Sequence, residues 1–301
     1  MAKTNIKEEK GKIDFHDQIS RNKIKSIVLI IFVFIVFFLL GYVISKAFAL
    51  DVFMILAFAS ILSIIYVSIT YNFSDKIALA SVSAYKADKI EHEKLYNAVE
   101  NMSIASGMPM PRVFVMPGEQ INAFATGKNP QKSVICVTEG ALKKLNKQEL
   151  EGVIGHEMSH IANYDIRFVT IVAVVVGAIA IFSQVFLRSL AFRDSGGDNK
   201  NPIFFILAII LAILAPIIVK LVQLAISRKR EYVADAGAVQ FTRYPPGLIS
   251  ALKKIQNDHE ELKVSGAVSP MFFSDTSKSR FLELFQTHPR VSARLDALER
   301  M

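Results

Sequence analysis

The chain is 301 residues long, with 52% of its residues hydrophobic and only 21% charged. That balance is too apolar for an ordinary water-soluble protein of this length and indicates a membrane protein. The formal net charge is +8, but its densest cluster sits beside an apolar run, so nucleic acid is excluded as its explanation in favour of topology and anionic lipid headgroups.

Seven basic residues (Lys3, Lys7, Lys10, Lys12, Arg21, Lys23 and Lys25) lie in the first 25 positions. Four apolar runs follow, at 27–45, 52–71, 168–187 and 203–226. A hydrocarbon core takes about 20 helical residues to cross, so each run is a candidate span. The first is read as an anchor and not a signal peptide, because its basic region is long and no small-residue cleavage site precedes the second run. For the third and fourth runs a buried helical hairpin inside a soluble domain is the alternative, the third being near the minimum spanning length. Basic residues set the orientation. Arg228, Lys229 and Arg230 follow the fourth run at once, whereas the first connection has Lys46 and the second has Arg188, Arg193 and Lys200. The positive-inside rule then places both termini, and the segment 72–165 between the hairpins, in the cytoplasm of a multi-pass protein of the inner or plasma membrane.

The organisation expected is a basic cytoplasmic N-terminus at 1–26, a transmembrane hairpin at 27–71, one polar part at 72–166, a second hairpin at 167–226 and a second polar part at 227–301. Within the first polar part, 91–104 has helical apolar spacing, broken by Gly107 and Pro109. Strands are expected at 112–116, 121–126 and 133–137, with Gly127-Lys128-Asn129-Pro130 as the turn between the last two. Cys136, the single cysteine, falls in the third strand. It has no disulfide partner within the chain and reads as a small buried core residue. The part from 227 onward reads as mostly helical, with a loop at 265–279. The fold class is thus a mostly α membrane protein with four transmembrane helices and a cytoplasmic α+β domain, a small sheet plus helices.

From Asn146 the pattern marks a helix start, an N-cap residue with Glu149 three positions on. Leu150, Val153, Ile154 and Ile161 supply its core stripe. On this helix His156 and His160 lie four residues apart and project from one face, a spacing that can hold one zinc at about 2.0–2.1 Å. Glu157 is offset by one position. It can reach a water held by the metal and take its proton as general base without being a ligand. A third protein ligand is needed, and Glu231 is the best candidate, with Asp235 four residues on, on the same helix face, able to accept from a liganding imidazole. An exposed charged turn is the other reading of Glu231 and Asp235.

Four segments carry a resemblance. They are Asn122-Ala123-Phe124-Ala125-Thr126-Gly127, then 156–165 (HEMSHIANYD), then 227–235 (SRKREYVAD), then Thr287-His288-Pro289 followed by Arg294. In this order, and with the four apolar runs, the chain resembles over nearly its whole length the HtpX family of membrane zinc metallopeptidases, related to the CAAX prenyl endopeptidases. It departs in one small way, carrying Arg290 where the family usually has a second proline or a similar residue. The resemblance implies a zincin-type catalytic domain with one Zn2+ per chain, Glu231 as third ligand, Asp235 as the residue behind a ligand, and a role in membrane-protein quality control. It also implies that Asn122, Ala123, Phe124 and Ala125 form an edge strand to which an extended peptide pairs. For Asn122 the alternative is a turn residue satisfying its own backbone. His288 and Arg294 are candidate donors to the transition state, with a helix cap and a surface charge as their other readings. Counting along helices puts the metal within roughly 10 Å of the bilayer surface. The partners expected are membrane-protein substrates and the lipid bilayer. A processing enzyme for lipid-modified C-termini and an inactive membrane scaffold are the competing functions.

Overall fold

The computed structural model describes residues 51–170, 228–258, 271–273 and 289–301, with positions 24, 27, 28, 31, 34, 35, 38 and 42 in helical conformation. The second apolar run is therefore described throughout. Most of the first, the third beyond Thr170, all of the fourth, and His288 lie outside the described residues.

Helix α1, Val52–Ser81, begins where the Asp51 carboxylate accepts from Met54 N at 2.8 Å. Its window Val52–Ile69 has a mean hydropathy of 2.5, and none of it is buried. Eighteen helical residues span about 27 Å, nearly the thickness of a hydrocarbon core. The helix does not stop at the end of the apolar run. Beyond Asn72 its residues serve a second purpose, and Ser74, Ala78 and Leu79 are buried against a sheet. Asp75 pairs with Arg112, and Lys128 Nζ donates to Asn72 Oδ1 at 2.7 Å.

That sheet has four strands, β1 (Tyr85–Lys86), β2 (Arg112–Met116), β3 (Ala123–Gly127) and β4 (Ser133–Thr138), in the order β1-β2-β4-β3. β2 and β4 are parallel and the other neighbours antiparallel. β4 is buried along its whole length, as a central strand covered on both faces must be. The pleat sorts side chains between two cores. Val113, Val115, Ala123, Ala125, Ile135 and Val137 face the helices. Met116, Phe124, Val134 and Cys136 face Ala78 and Leu79 of α1 together with Met271 and Phe272. Strand β3 starts two residues later than the periodicity suggests, because side chains bind the backbone there: Ile121 N donates to Asp258 Oδ2 at 2.7 Å and Asn122 N to Thr138 Oγ1 at 3.0 Å.

Helix α2, Glu93–Ser106, starts after a turn in which the Asp88 carboxylate accepts from Ile90 N and Glu91 N. It ends at Gly107, whose φ of 68° is the left-handed cap that glycine adopts most easily. After the short α3, Glu139–Lys144, comes the central helix α4, Lys147–Ala162. Helices α5 (Arg228–Thr242), α6 (Pro245–Asn257) and α7 (Val291–Leu298) complete the described elements. α4 runs between the sheet on one side and α2, α5 and α6 on the others. Small residues permit this. A Cβ on Gly152 would stand 2.8 Å from Leu248 N, and one on Gly155 3.3 Å from Ala238 Cα.

Candidate metal centre

Helix α4 carries the capping box that its sequence announces. Glu149 N donates to Asn146 Oδ1 at 2.9 Å, and Asn146 N to Glu149 Oε2 at 2.7 Å. The stripe Leu150, Val153, Ile154 and Ile161 is fully buried, but so are Gly155, His156, Glu157, Met158 and Ser159. The histidine face is therefore an interior face, covered by α5.

His156 and His160 turn their Nε2 atoms toward each other, 3.1 Å apart. Glu231, from the first turn of α5, closes the triangle. One carboxylate oxygen is 3.7 Å from His156 Nε2 and the other 3.5 Å from His160 Nε2. The ligand atoms of the three residues lie within 4.8 Å of one another. Tetrahedral zinc with ligands at about 2.0–2.1 Å requires donor separations of about 3.3 Å, so the set matches a single ion.

Each imidazole is aimed from behind. His156 Nδ1 donates to Asp235 Oδ1 at 2.9 Å, and Asp235 is held in turn by Arg294 through Nε at 2.9 Å and Nη2 at 2.6 Å. His160 Nδ1 donates to Asp165 Oδ2 at 3.0 Å, and Arg230 Nη1 donates to Asp165 Oδ1 at 3.1 Å. A proton on Nδ1 leaves the Nε2 lone pair for a metal. Asp165 reaches back to His160 because Tyr164, just past α4, adopts a left-handed φ of 57° that reverses the chain.

The two rings sit in different fields. Burial, with the nearby Arg294 cation, pushes His156 down to about 4 in spite of Asp235. Burial acts on His160 as well, but the hydrogen bond to Asp165 and the charge of Glu231 outweigh it and raise it to about 9. The Asp165 and Asp235 carboxyls resist burial and stay below the usual range, Asp165 through its bond to His160 and the Arg230 charge, Asp235 through Arg294 and its bond to His156. Glu157, Asp165, Glu231 and Asp235 are four buried carboxylates facing the two buried guanidiniums of Arg230 and Arg294. Counted with its carboxylates ionised and both histidines neutral, as metal binding requires, the cluster carries an excess of two negative charges, which a divalent cation would balance. Donor type, spacing and charge all fit a metal of zinc's kind.

The structure also redistributes the other expected residues. Arg294 is 2% exposed and lies behind His156, its nitrogens on Asp235 and, at 3.4 Å, on the carbonyl of Phe273. It is not a surface charge, and its Nη1 stands 4.0 Å from the carboxylate of Glu231, which lines the cleft. Among the four edge-strand residues only Ala125 lines the cleft beside His156, Glu157 and His160. Asn122 is buried, with its Oδ1 accepting from Ala123 N at 3.0 Å, and Phe124 packs in the other core at 5.2 Å from the Phe272 ring. The outer edge of β3 is covered at Ala123 and Phe124. Phe124 and Phe272 form an antiparallel bridge, and Phe273 N donates to Ala123 O at 2.8 Å.

Three participants have no site role in the sequence: Asp165, Arg230 and Phe273. Asp165 and Arg230 lie inside the quoted motifs, but only the left-handed turn at Tyr164 shows that Asp165 meets His160. Phe273 falls in the expected loop. Its ring packs edge-on to His156 at 4.7 Å and lies 4.6 Å beneath the Arg294 guanidinium.

A crystal structure of S. mikatae Ste24p aligns with 94% of this chain and 67% of its own, at a TM-score of 0.47 and 20% identity. Curated relatives are nearer. The protease HtpX homolog of Dictyoglomus thermophilum is 40% identical over 289 residues, 95% of each chain. That of Caldanaerobacter subterraneus subsp. tengcongensis is 43% identical over 248 residues, 80% of this chain and 83% of its own. That of Listeria monocytogenes is 40% identical over 301 residues, 95% of this chain and 99% of its own. Residues 89–301 match the family description itself, and the chain belongs to peptidase family M48.

Proposed function

We propose that this peptidase is a membrane-integrated zinc endopeptidase that cleaves membrane proteins, with one zinc held by His156, His160 and Glu231. The observation that carries the reading is the convergence of those three ligands within 4.8 Å, on two helices packed through small residues. When bound, the metal lowers the pKa of a water toward about 7 and polarises the scissile carbonyl.

Glu157 lies next to His156 on the same turn of α4 and lines the same cleft. It takes the proton of the attacking water as the oxygen adds to the carbonyl carbon. It then delivers that proton to the leaving nitrogen as the C–N bond breaks, giving a carboxylate and an amine. Asp235 and Asp165 keep the two imidazoles in the ligating tautomer. Arg294 acts at one remove, fixing Asp235 and so His156. His288 remains the proposed donor to the developing negative charge. Ala125 stands for the strand beside which the peptide lies.

Support for a membrane setting is α1, whose window Val52–Ile69 exposes an apolar surface that water does not tolerate at this length. Helical positions Ile24, Ile27, Val28, Ile31, Ile35, Phe38 and Tyr42 add exposed apolar side chains at spacings of three and four. Since the far end of α1 docks on the sheet that backs the cleft, the catalytic part sits close to the bilayer. The basic clusters support a cytoplasmic position for that part, with damaged membrane proteins or segments lying against the membrane as its proposed substrates. The test is zinc analysis of purified protein together with digestion of a membrane-protein substrate before and after chelation. Cleavage that persists without metal would reject the reading.

A further inference from the structure

Arg230 stands next to the ligand Glu231 in the first turn of α5, and its side chain is 9% exposed. Its Nη1 donates to Asp165 Oδ1 at 3.1 Å, and its guanidinium carbon lies 4.8 Å from the centre of the Phe168 ring. Its Nε and Nη2 are buried and have no hydrogen-bond partner among the described residues. These two atoms form one edge of the guanidinium, a pair of nearly parallel donors. Buried donors left unmatched are costly and rare in native proteins, and an Arg is the costliest case. Arg294, the other buried arginine of the cluster, has its nitrogens engaged by Asp235, the carbonyl of Phe273 and, at 4.0 Å, Glu231.

Arg230 also lines the cleft that holds His156, Glu157, His160 and Glu231, whose remaining walls include Ala125, Ile166 and Val169. The cleft gives an acceptor a route to its open edge. A free anion suits the place poorly, because Glu157, Asp165 and Glu231 are all close by. A neutral carbonyl oxygen does not meet that repulsion, and an extended peptide carries one at every residue.

We propose that the Nε–Nη2 edge of Arg230 binds a backbone carbonyl oxygen of the peptide substrate beside the scissile bond. Arg230 thus joins two tasks, bracing Asp165 behind His160 with one nitrogen and holding substrate with the other two. A contact to backbone is indifferent to side-chain identity, in keeping with an enzyme of broad specificity. This assignment rests on the peptidase reading of the cleft.

The experiment uses full-length, zinc-loaded protein in detergent micelles, with a fluorescent casein-derived peptide as probe. In a Glu157→Gln background, which does not turn the peptide over, Arg230→Lys keeps a cation for Asp165 but lacks the fork. Peptide affinity should fall about 10–100-fold with zinc content unchanged, the size expected for losing a charged hydrogen-bond donor. In the active background the same substitution should raise KM with kcat within about threefold, because the contact is made in ground and transition states alike. Arg230→Met should weaken the peptide at least as much. Should Arg230→Met not fold, the Arg230→Lys comparison alone decides. Unchanged peptide affinity in Arg230→Lys overturns the proposal. So does a loss of zinc that accounts for the weaker peptide, since Arg230 would then only support His160. A Glu157→Gln parent that binds no peptide would instead sink the peptidase reading of the cleft and this assignment with it.

Discussion

Gly237 of α5 lies directly against Ser159 of α4: a Cβ at position 237 would stand 2.2 Å from Ser159 Oγ and 2.7 Å from Ser159 Cβ. This contact limits how closely α4 and α5, the helices of the proposed ligands, approach, and Glu231 and Asp235 lie on the same helix as Gly237, six and two residues before it. Gly237→Ala should therefore force α5 outward, lowering stability by about 1–3 kcal/mol and weakening metal binding together. The double variant Gly237→Ala with Ser159→Gly should recover part of both losses, as coupled neighbours do. Thermal unfolding and metal titration of the three variants provide the check, and strictly additive losses would mean that the contact does not set the spacing.

Glu157→Gln should retain zinc and lose proteolysis by about 10²–10⁴-fold. The amide keeps nearly the same shape in a buried position and can still hydrogen-bond to a water, but it cannot accept a proton. Metal analysis and a timed digest on the same preparation separate the two effects. Wild-type cleavage by the variant would remove Glu157 from the chemistry.

Asp235→Asn and Asp165→Asn should each lower metal affinity by about 10–100-fold, measured by competition with a chelator. Each substitution keeps the side-chain shape but lets an amide N–H face imidazole Nδ1, favouring the tautomer that puts the proton on the ligating nitrogen. Asp235→Asn also strands Arg294, which is buried and donates two of its hydrogen bonds to Asp235. It should therefore cost more folding stability than Asp165→Asn. Equal affinity in either variant would show that the ring is oriented by packing alone.

Glu149 ties the start of α4 to α6. Besides its capping role it accepts from Ser250 Oγ at 2.7 Å and from Lys254 Nζ at 2.7 Å. Burial raises its carboxyl, but the bonds from Lys254, Asn146 N and Ser250 prevail and hold it below its ordinary value of 4.5. A depressed carboxyl stabilises the fold fully above its unfolded pKa, and that contribution fades as pH falls through the folded one. Glu149→Gln should thus cost about 2 kcal/mol at neutral pH and flatten the acid side of the stability curve below about pH 4.5. Unfolding midpoints measured from pH 3 to 7 decide it. Parallel curves for wild type and variant would assign the acid sensitivity elsewhere.

What could be read from the sequence follows the range of each signal. The Asn146–Glu149 cap, the stripe from Leu150 to Ile161 and the histidines four apart are local, periodic features, and α4 shows that cap and that stripe. Strand β2 at 112–116 was equally legible, being a β-branched and aromatic run between breakers. Asp165 was not legible, because it depends on a left-handed residue at Tyr164 that no local rule demands. The continuation of α1 to Ser81 was hidden because beyond Asn72 its apolar residues answer to the sheet and no longer to a uniform solvent. The partial covering of the β3 edge was hidden for a related reason: Phe272 and Phe273 reach it from nearly 150 residues away, and pairing over that distance leaves no mark on either segment.

Phe273 should be the most sensitive apolar residue of the site. It is 1% exposed, its ring packs against both His156 and the Arg294 guanidinium, its N–H is bound by Ala123 O and its carbonyl accepts from Arg294 Nη1. Removing the ring leaves the backbone bonds in place but opens a cavity against a ligand imidazole and strips a buried cation of its aromatic face. The cavity alone should cost about 3–5 kcal/mol in Phe273→Ala, and the lost cation–π contact about 1–2 kcal/mol more. Phe273→Leu restores most of the volume without the π face, so it should recover the larger share of stability and little of the smaller. With water able to reach Nδ1 of His156, metal should also leave faster from Phe273→Ala than from Phe273→Leu. Chemical denaturation of both variants, paired with the rate of zinc release to a chelator, tests this ordering. A Phe273→Ala variant as stable as wild type, with unchanged zinc release, would mean that the 271–273 segment only rests on the β3 edge and does not form part of the site.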